Sequence, residues 1–226
     1  NNKLQQLLIE SIIATTALSS GVIAITKANI YYFDHQGNKT VIESPHYIYA
    51  VTKEYGSDNF FTVSDQGIVS KFDGETLTQL PHQFGNTPPV RARSFLHDSS
   101  GVLWIVSSQG IKRLTENTIK NFPKIFDISI NANELALYND EIIIGSYGAG
   151  LQNFNAPVFN DHVNEMFSKQ GLRITDVETI DGVLYITTFD GLWRFTPETQ
   201  QTTKLAFPDN NKLILTMEYR LSLINN

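Results

Sequence analysis

Hydrophobic residues along this chain fall in short runs, each broken after a few positions by a polar turn, and no helical 3.6-residue period is sustained across them. Five segments share one version of this pattern: GVIAITKANIYYFD (21–34), DNFFTVSDQGIVSKFD (58–73), GVLWIVSSQGIKRLTE (101–116), DEIIIGSYGAGLQNFN (140–155) and GVLYITTFDGLWRFTP (182–197). Aligned on the closing apolar residue, they place Phe33, Phe72, Leu114, Phe154 and Phe195 at intervals of 39, 42, 40 and 41 residues. A period this constant marks an array whose units bury their faces against one another. In the fifth unit four strand-like runs are predicted, at Ile174–Ile180, Val183–Thr188, Gly191–Thr196 and Thr202–Phe207. Asp181-Gly182 and Phe189-Asp190-Gly191 supply hairpin chemistry between them.

Four antiparallel strands per forty residues, repeated around an axis, predict an all-β fold, a β-propeller of four-stranded blades. A plain sandwich would give no reason for a fixed period. The blades are expected at about 11–45, 46–85, 90–125, 130–160 and 172–208, with 212–226 opening a partial sixth. On this count the whole chain is a single propeller in part, a fragment of a larger one. Ile23, Phe61, Trp104, Ile143 and Tyr185 form the column expected between blades. Gly67, Gly110, Gly150 and Gly191 mark turns that need a positive φ, and Asn29 takes that place in the first unit. One extra residue follows Gly67, which predicts a bulge. In the long connection from Ala156 to Arg173, a short helix is expected with Asp161 as its cap and Gly171 at its end.

Composition narrows the functions open to such a fold. Hydrophobic residues at 41% supply a core, and aromatics at 11% are too many for a disordered chain. The net charge of −6, with no basic block, argues against nucleic acid as a partner. The absence of Cys excludes disulfides, thiol catalysis and Cys-zinc sites. Leu7–Thr26 is the one stretch long enough to suggest a membrane segment, but it carries Glu10, six Ser/Thr and many β-branched residues. Two strands split at Ser19-Ser20-Gly21 fit it better.

Motif chemistry is sparse. His35, His46, His82, His97 and His162 show no metal-ligand spacing, no nucleophile elbow or phosphate loop is present, and no cofactor is expected. Asp98-Ser99-Ser100-Gly101 suggests a calcium loop, but a hairpin turn explains it better. Candidate ligand-binding residues are therefore taken from the loops ringing one channel mouth, where function sits on a rigid scaffold. The loops within blades offer Lys27, Asp65, Gln109, Tyr147 and Asp190. The connections between blades offer His46, Tyr47, Arg91, Arg93, His162 and Arg173. Arg91 and Arg93, two apart on an entering strand, would share one face and suit an anionic ligand or a solvated rim.

The runs Gly101-Val102-Leu103-Trp104-Ile105 with Gly110-Ile111-Lys112-Arg113-Leu114, and Gly182-Val183-Leu184-Tyr185-Ile186 with Gly191-Leu192-Trp193-Arg194-Phe195, resemble the two-component-regulator propeller repeat. The resemblance covers all five units in period, and the third and fifth strongly in letters. It implies the periplasmic sensor portion of a membrane-anchored bacterial receptor whose output, a histidine kinase or diguanylate cyclase, lies outside this chain. The expected partners are then a small molecule or oligosaccharide, the remaining blades of the same receptor and a second copy in a homodimer. Such a module is not an enzyme. A glycan-acting hydrolase or lyase and a protein–protein scaffold are the alternatives.

Overall fold

The computed structural model describes residues 11–27, 29–83, 92–107, 110–115, 119–122, 124–125, 128–129, 132–156, 159–196 and 198–205. Five small antiparallel sheets stand in a ring and form a five-blade β-propeller. Blade 1 holds β1 (Ile12–Leu18), β2 (Gly21–Thr26), β3 (Ile30–Asp34) and β4 (Lys39–Ile42), and blade 2 holds β5 (Ile48–Lys53), β6 (Phe60–Ser64), β7 (Ile68–Phe72) and β8 (Leu77–Gln83). Blade 3 holds β9 (Ala92–His97), β10 (Leu103–Ser107), β11 (Gly110–Leu114) and β12 (Ile119–Phe122). A two-strand hairpin, β13 (Lys124–Ile125) and β14 (Ile128–Ser129), leads on to blade 4, with β15 (Ala132–Tyr138), β16 (Glu141–Ser146) and β17 (Gly150–Asn153). Helix α1 (Asp161–Lys169) precedes blade 5, with β18 (Ile174–Ile180), β19 (Val183–Thr188), β20 (Gly191–Thr196) and β21 (Gln201–Lys204).

The stretch that raised the membrane question is the first hairpin, β1 and β2, turned at Ser19-Ser20. No helix among the described residues is long and apolar enough to cross a membrane. The expected partial sixth blade, 212–226, lies outside the described residues.

The core is a set of apolar layers between successive blades. Ile23 and Phe60 pack between blades 1 and 2, Phe61 and Phe95 between blades 2 and 3, Trp104 and Ile144 between blades 3 and 4, and Ile143 and Phe195 between blades 4 and 5. Four members of the predicted column therefore each meet the following blade. The fifth, Tyr185, is half-buried and belongs to none of these layers; Leu184 and Ile186, on either side of it, face blade 4 and leave its ring on the opposite face. Trp104 is the most heavily bound of the column. Its Nε1–H donates to Asp98 Oδ2 at 2.7 Å, Arg113 lies over its ring and Phe154 meets it edge-on at 4.8 Å.

Turns follow the residue chemistry, with two corrections. Asn139-Asp140 and Asp181-Gly182 have positive φ at both positions, which matches the twist of a two-residue hairpin. Gly67, Gly110, Gly150 and Gly191 also have positive φ. Asn29 does not: its N–H donates to Thr26 Oγ1 and its side-chain amide to the Tyr31 hydroxyl. The extra residue of the second unit makes no bulge between β6 and β7, whose register is regular; it lengthens the turn to Asp65-Gln66-Gly67. The irregularity of this blade lies between β7 and β8.

Helix α1 is capped by Asn160, not Asp161, because Asn160 Oδ1 accepts the Val163 N–H at 3.1 Å. It ends as expected at Gly171, with φ of 62°, where the Leu172 N–H returns to the Phe167 carbonyl at 3.0 Å.

One device recurs in every blade. Each innermost strand carries a β-bulge near its start, at Ile13, Tyr49, Arg93, Asn133 and Thr175, where pairing with the second strand skips one residue. Two of the bulged side chains reach the next blade. Arg93 Nη1 donates to the Ala132 carbonyl at 3.1 Å, and Asn133 Nδ2 donates to the Thr175 carbonyl at 3.1 Å. The residues just after the bulges, Ala14, Ala50, Ser94, Glu134 and Asp176, are all buried and form one layer around the axis.

Candidate functional site

The antiparallel order of each blade puts the start of its innermost strand beside the turn between its second and third strands. The described residues among the rim set expected from the sequence occupy that end of the propeller. Tyr47 and Asp65 meet there, with the Asp65 N–H donating to the Tyr47 carbonyl at 2.9 Å, and the Tyr47 ring lies edge-on to Tyr49 at 5.0 Å. Tyr147 and Arg173 form a bridge between blade 4 and the entry to blade 5. Among the described residues, no hydrogen bond or ion pair joins Lys27, His46 or Asp190 to another member of the group. Lys27 is exposed, the His46 carbonyl accepts from Ser44 Oγ, and Asp190 is paired with Lys204 at 2.7 Å. Arg93 holds blade 4 and so makes the packing contact described above. Arg91 and Gln109 lie outside the described residues, and His162 falls in α1.

A cavity lies elsewhere. It occupies the propeller axis, has a volume of about 430 Å³, and is walled by the innermost strand of every blade: β1, β5, β9, β15 and β18. None of the described rim residues lines it; it extends toward the opposite end, where Glu54, Tyr55, Gly56 and His97 stand. That volume falls within the range of small-molecule sites, and concave placement on a rigid scaffold is their usual setting.

Its charges are unevenly shared. On the side of blades 1 and 2, Thr15, Thr16 and Thr52 present hydroxyls, and the cations are already committed. Lys53 pairs with Asp58 at 3.3 Å, and Lys71 behind the wall pairs with Glu54 at 2.6 Å. Burial works to raise the pKa of Glu54, but hydrogen bonds from Lys71, Asn59 and Ser57 outweigh it and hold the carboxyl below its usual range. His97 is pushed down by burial, against the pull of Glu54 and Asp98. Its Nδ1 accepts the Tyr55 N–H at 2.9 Å, so the ring is neutral with its proton on Nε2, stacked on Phe61 at 4.9 Å.

On the side of blades 4 and 5 the wall is acidic. Glu134 is buried, and its carboxylate accepts the Ser94 hydroxyl and the Leu135 N–H. Asp176, at the matching position of blade 5, is buried and accepts the Val177 N–H at 2.9 Å. Two residues on, Glu178 is open to cavity water yet enclosed by the surrounding strands. That enclosure, together with the charge of Asp176, pushes its pKa up to about 8. No hydrogen bond or ion pair among the described residues answers its carboxylate, and the Thr179 hydroxyl beside it is buried without a hydrogen-bond partner. No group of three His, Asp or Glu among the described residues is placed to hold a metal ion. Asp98, whose loop suggested calcium, spends its carboxylate on Ser100, Val102 and Trp104 within its own hairpin.

Sequence reasoning missed Glu134, Asp176 and Glu178 because no motif distinguishes them among 23 acids. The signal available was positional: aligned through the repeat, the layer after the bulge reads Ala, Ala, Ser, Glu, Asp, and turns polar in three consecutive blades.

These features define a β-propeller with an axial cavity. No protein-family model and no curated protein matches the sequence. Solved structures do match in fold. Virginiamycin B lyase from Staphylococcus aureus aligns at 12% identity with a TM-score of 0.60, over 88% of this chain and 71% of that one. The extracellular domain of a candidate one-component system from B. thetaiotaomicron aligns at 13% identity and 0.60, over 95% of this chain but 31% of that one. A chain of the nidogen/laminin complex aligns at 13% and 0.62, over 86% and 79%. At such identities the shared property is the fold.

Proposed function

We propose that the chain is a non-catalytic, ligand-binding propeller serving the extracytoplasmic sensor portion of a bacterial signalling receptor. The observation that carries this reading is the axial cavity, about 430 Å³ and walled by all five innermost strands, with its polar groups turned inward. The likeness to a one-component-system extracellular domain supports the setting, and the resemblance to the two-component-regulator repeat points the same way. A small molecule is the ligand; further blades of the receptor and a second receptor copy are its protein partners. Binding in the channel bridges all five blades, and this gives a ligand purchase on their relative tilt.

The test is a thermal-shift and calorimetric screen of the folded protein against metabolites and oligosaccharides, with each hit recovered afterwards and examined by NMR. A ligand that binds and returns unchanged is the expected result. A hit returned cleaved would make the protein a hydrolase or lyase and overturn the reading, as would a full screen with no binder.

A further inference from the structure

We propose that the axial cavity is a binding site for a small organic cation, an alkylammonium or guanidinium group seated against Glu178 and Asp176. This rests on the ligand-binding reading above and names the ligand's chemistry. Three observations carry it. The cavity is large enough for a small molecule, yet too small for an extended sugar chain. The Glu178 side chain is exposed to the cavity, and its carboxylate has no donor or cation among the described residues. A carboxylate standing beside a second one, here Asp176, is favoured in its charged form when a counter-charge arrives.

The third observation is that the described cations around the cavity are already engaged. Lys53 is bound to Asp58 and Lys71 to Glu54, and His97 is neutral. The groups facing Glu178 are thus Asp176 on its own strand, Glu134 on β15, Glu54 and Lys53 on β5, and His97 on β9; the described part of β1 brings only uncharged Thr15, Thr16 and Ala17. A metal ion lacks its ligand set among the described residues, whereas a cation with several N–H donors can spread over Glu178, Asp176 and the threonine hydroxyls.

Calorimetry on the folded chain with agmatine and spermidine, against maltotriose, glucuronate and magnesium chloride, decides the matter. Agmatine or spermidine should bind one-to-one, and Glu178→Gln should weaken that binding by about tenfold or more with its circular dichroism unchanged. Binding should also tighten, by up to about tenfold, from pH 7 to pH 9 in the parent as Glu178 loses its proton. The Gln variant should show no such slope. Asp176→Asn supplies a second variant should the first fail to fold. Binding of maltotriose or glucuronate alone, or cation binding indifferent to Glu178→Gln, overturns the cation assignment and leaves the ligand-binding reading standing. Failure of both cations together with an empty metabolite screen overturns both.

Discussion

Trp104 and Asp98 show how much a single pair can hold. The indole N–H is buried against Asp98 Oδ2, while Oδ1 of the same carboxylate gathers the hairpin backbone. Trp104→Phe keeps the ring but strips the donor, and should cost about 1–3 kcal/mol in urea denaturation. Burial works to raise the Asp98 pKa, but its hydrogen bonds outweigh it and leave the carboxyl low. Its contribution is therefore present above the unfolded carboxyl range and lost as the pH falls through the lower folded value. Melts taken between pH 6 and pH 2 should show that loss, and Asp98→Asn should flatten it. Glu178 has the opposite sign. Its raised pKa leaves stability intact in acid and removes it as the pH climbs toward 8. Glu178→Gln should thus match the parent near pH 4 and exceed it at pH 9 by about 1–2 kcal/mol, a figure reduced for screening by channel water.

At the scale of the element, hairpins were legible and bulges were not. Asp181-Gly182 and the glycines before third strands announce themselves, because few residues tolerate their backbone angles. A bulge adds one residue without disturbing the apolar run around it, so Arg93 read as a rim cation for an anionic ligand or for solvent, and its contact to blade 4 was not foreseen. The helix cap was displaced by one residue because Asn160 and Asp161 are both good caps, and backbone geometry chose between them. Asn160→Ala should lower stability by about 1 kcal/mol. Gly145 is the tightest interface position of blade 4: a β-carbon there would stand 2.8 Å from Ile174 Cγ2 and 3.2 Å from Val177 Cγ2. Gly145→Ala should force blades 4 and 5 apart and cost about 1–3 kcal/mol, measured by chemical denaturation.

For the whole molecule, the period near forty residues was enough to predict the propeller, since only blade-on-blade burial explains it. The cavity chemistry was hidden because it is assembled from five strands far apart in sequence, each contributing one or two ordinary residues. Rim loops, by contrast, could be named from the repeat, and among the described residues the structure gathers Tyr47 with Asp65 and Tyr147 with Arg173. Apolar layers between blades make stability a sum over neighbours. Phe195→Ala, in the layer between blades 4 and 5, should cost about 3–5 kcal/mol. Hydrogen exchange should show protection lost first in those two blades, while blades 1 and 2 keep theirs.

The cavity wall also breaks a symmetry. A pseudo-fivefold backbone would offer an entering molecule five equivalent poses, a degeneracy of about 1 kcal/mol as RT ln 5. With Thr16 and Thr52 on one arc and Glu134, Asp176 and Glu178 on the other, those poses cease to be equivalent. The channel thereby acquires a compass bearing, and a guest settled in it leans on the same pair of blades every time.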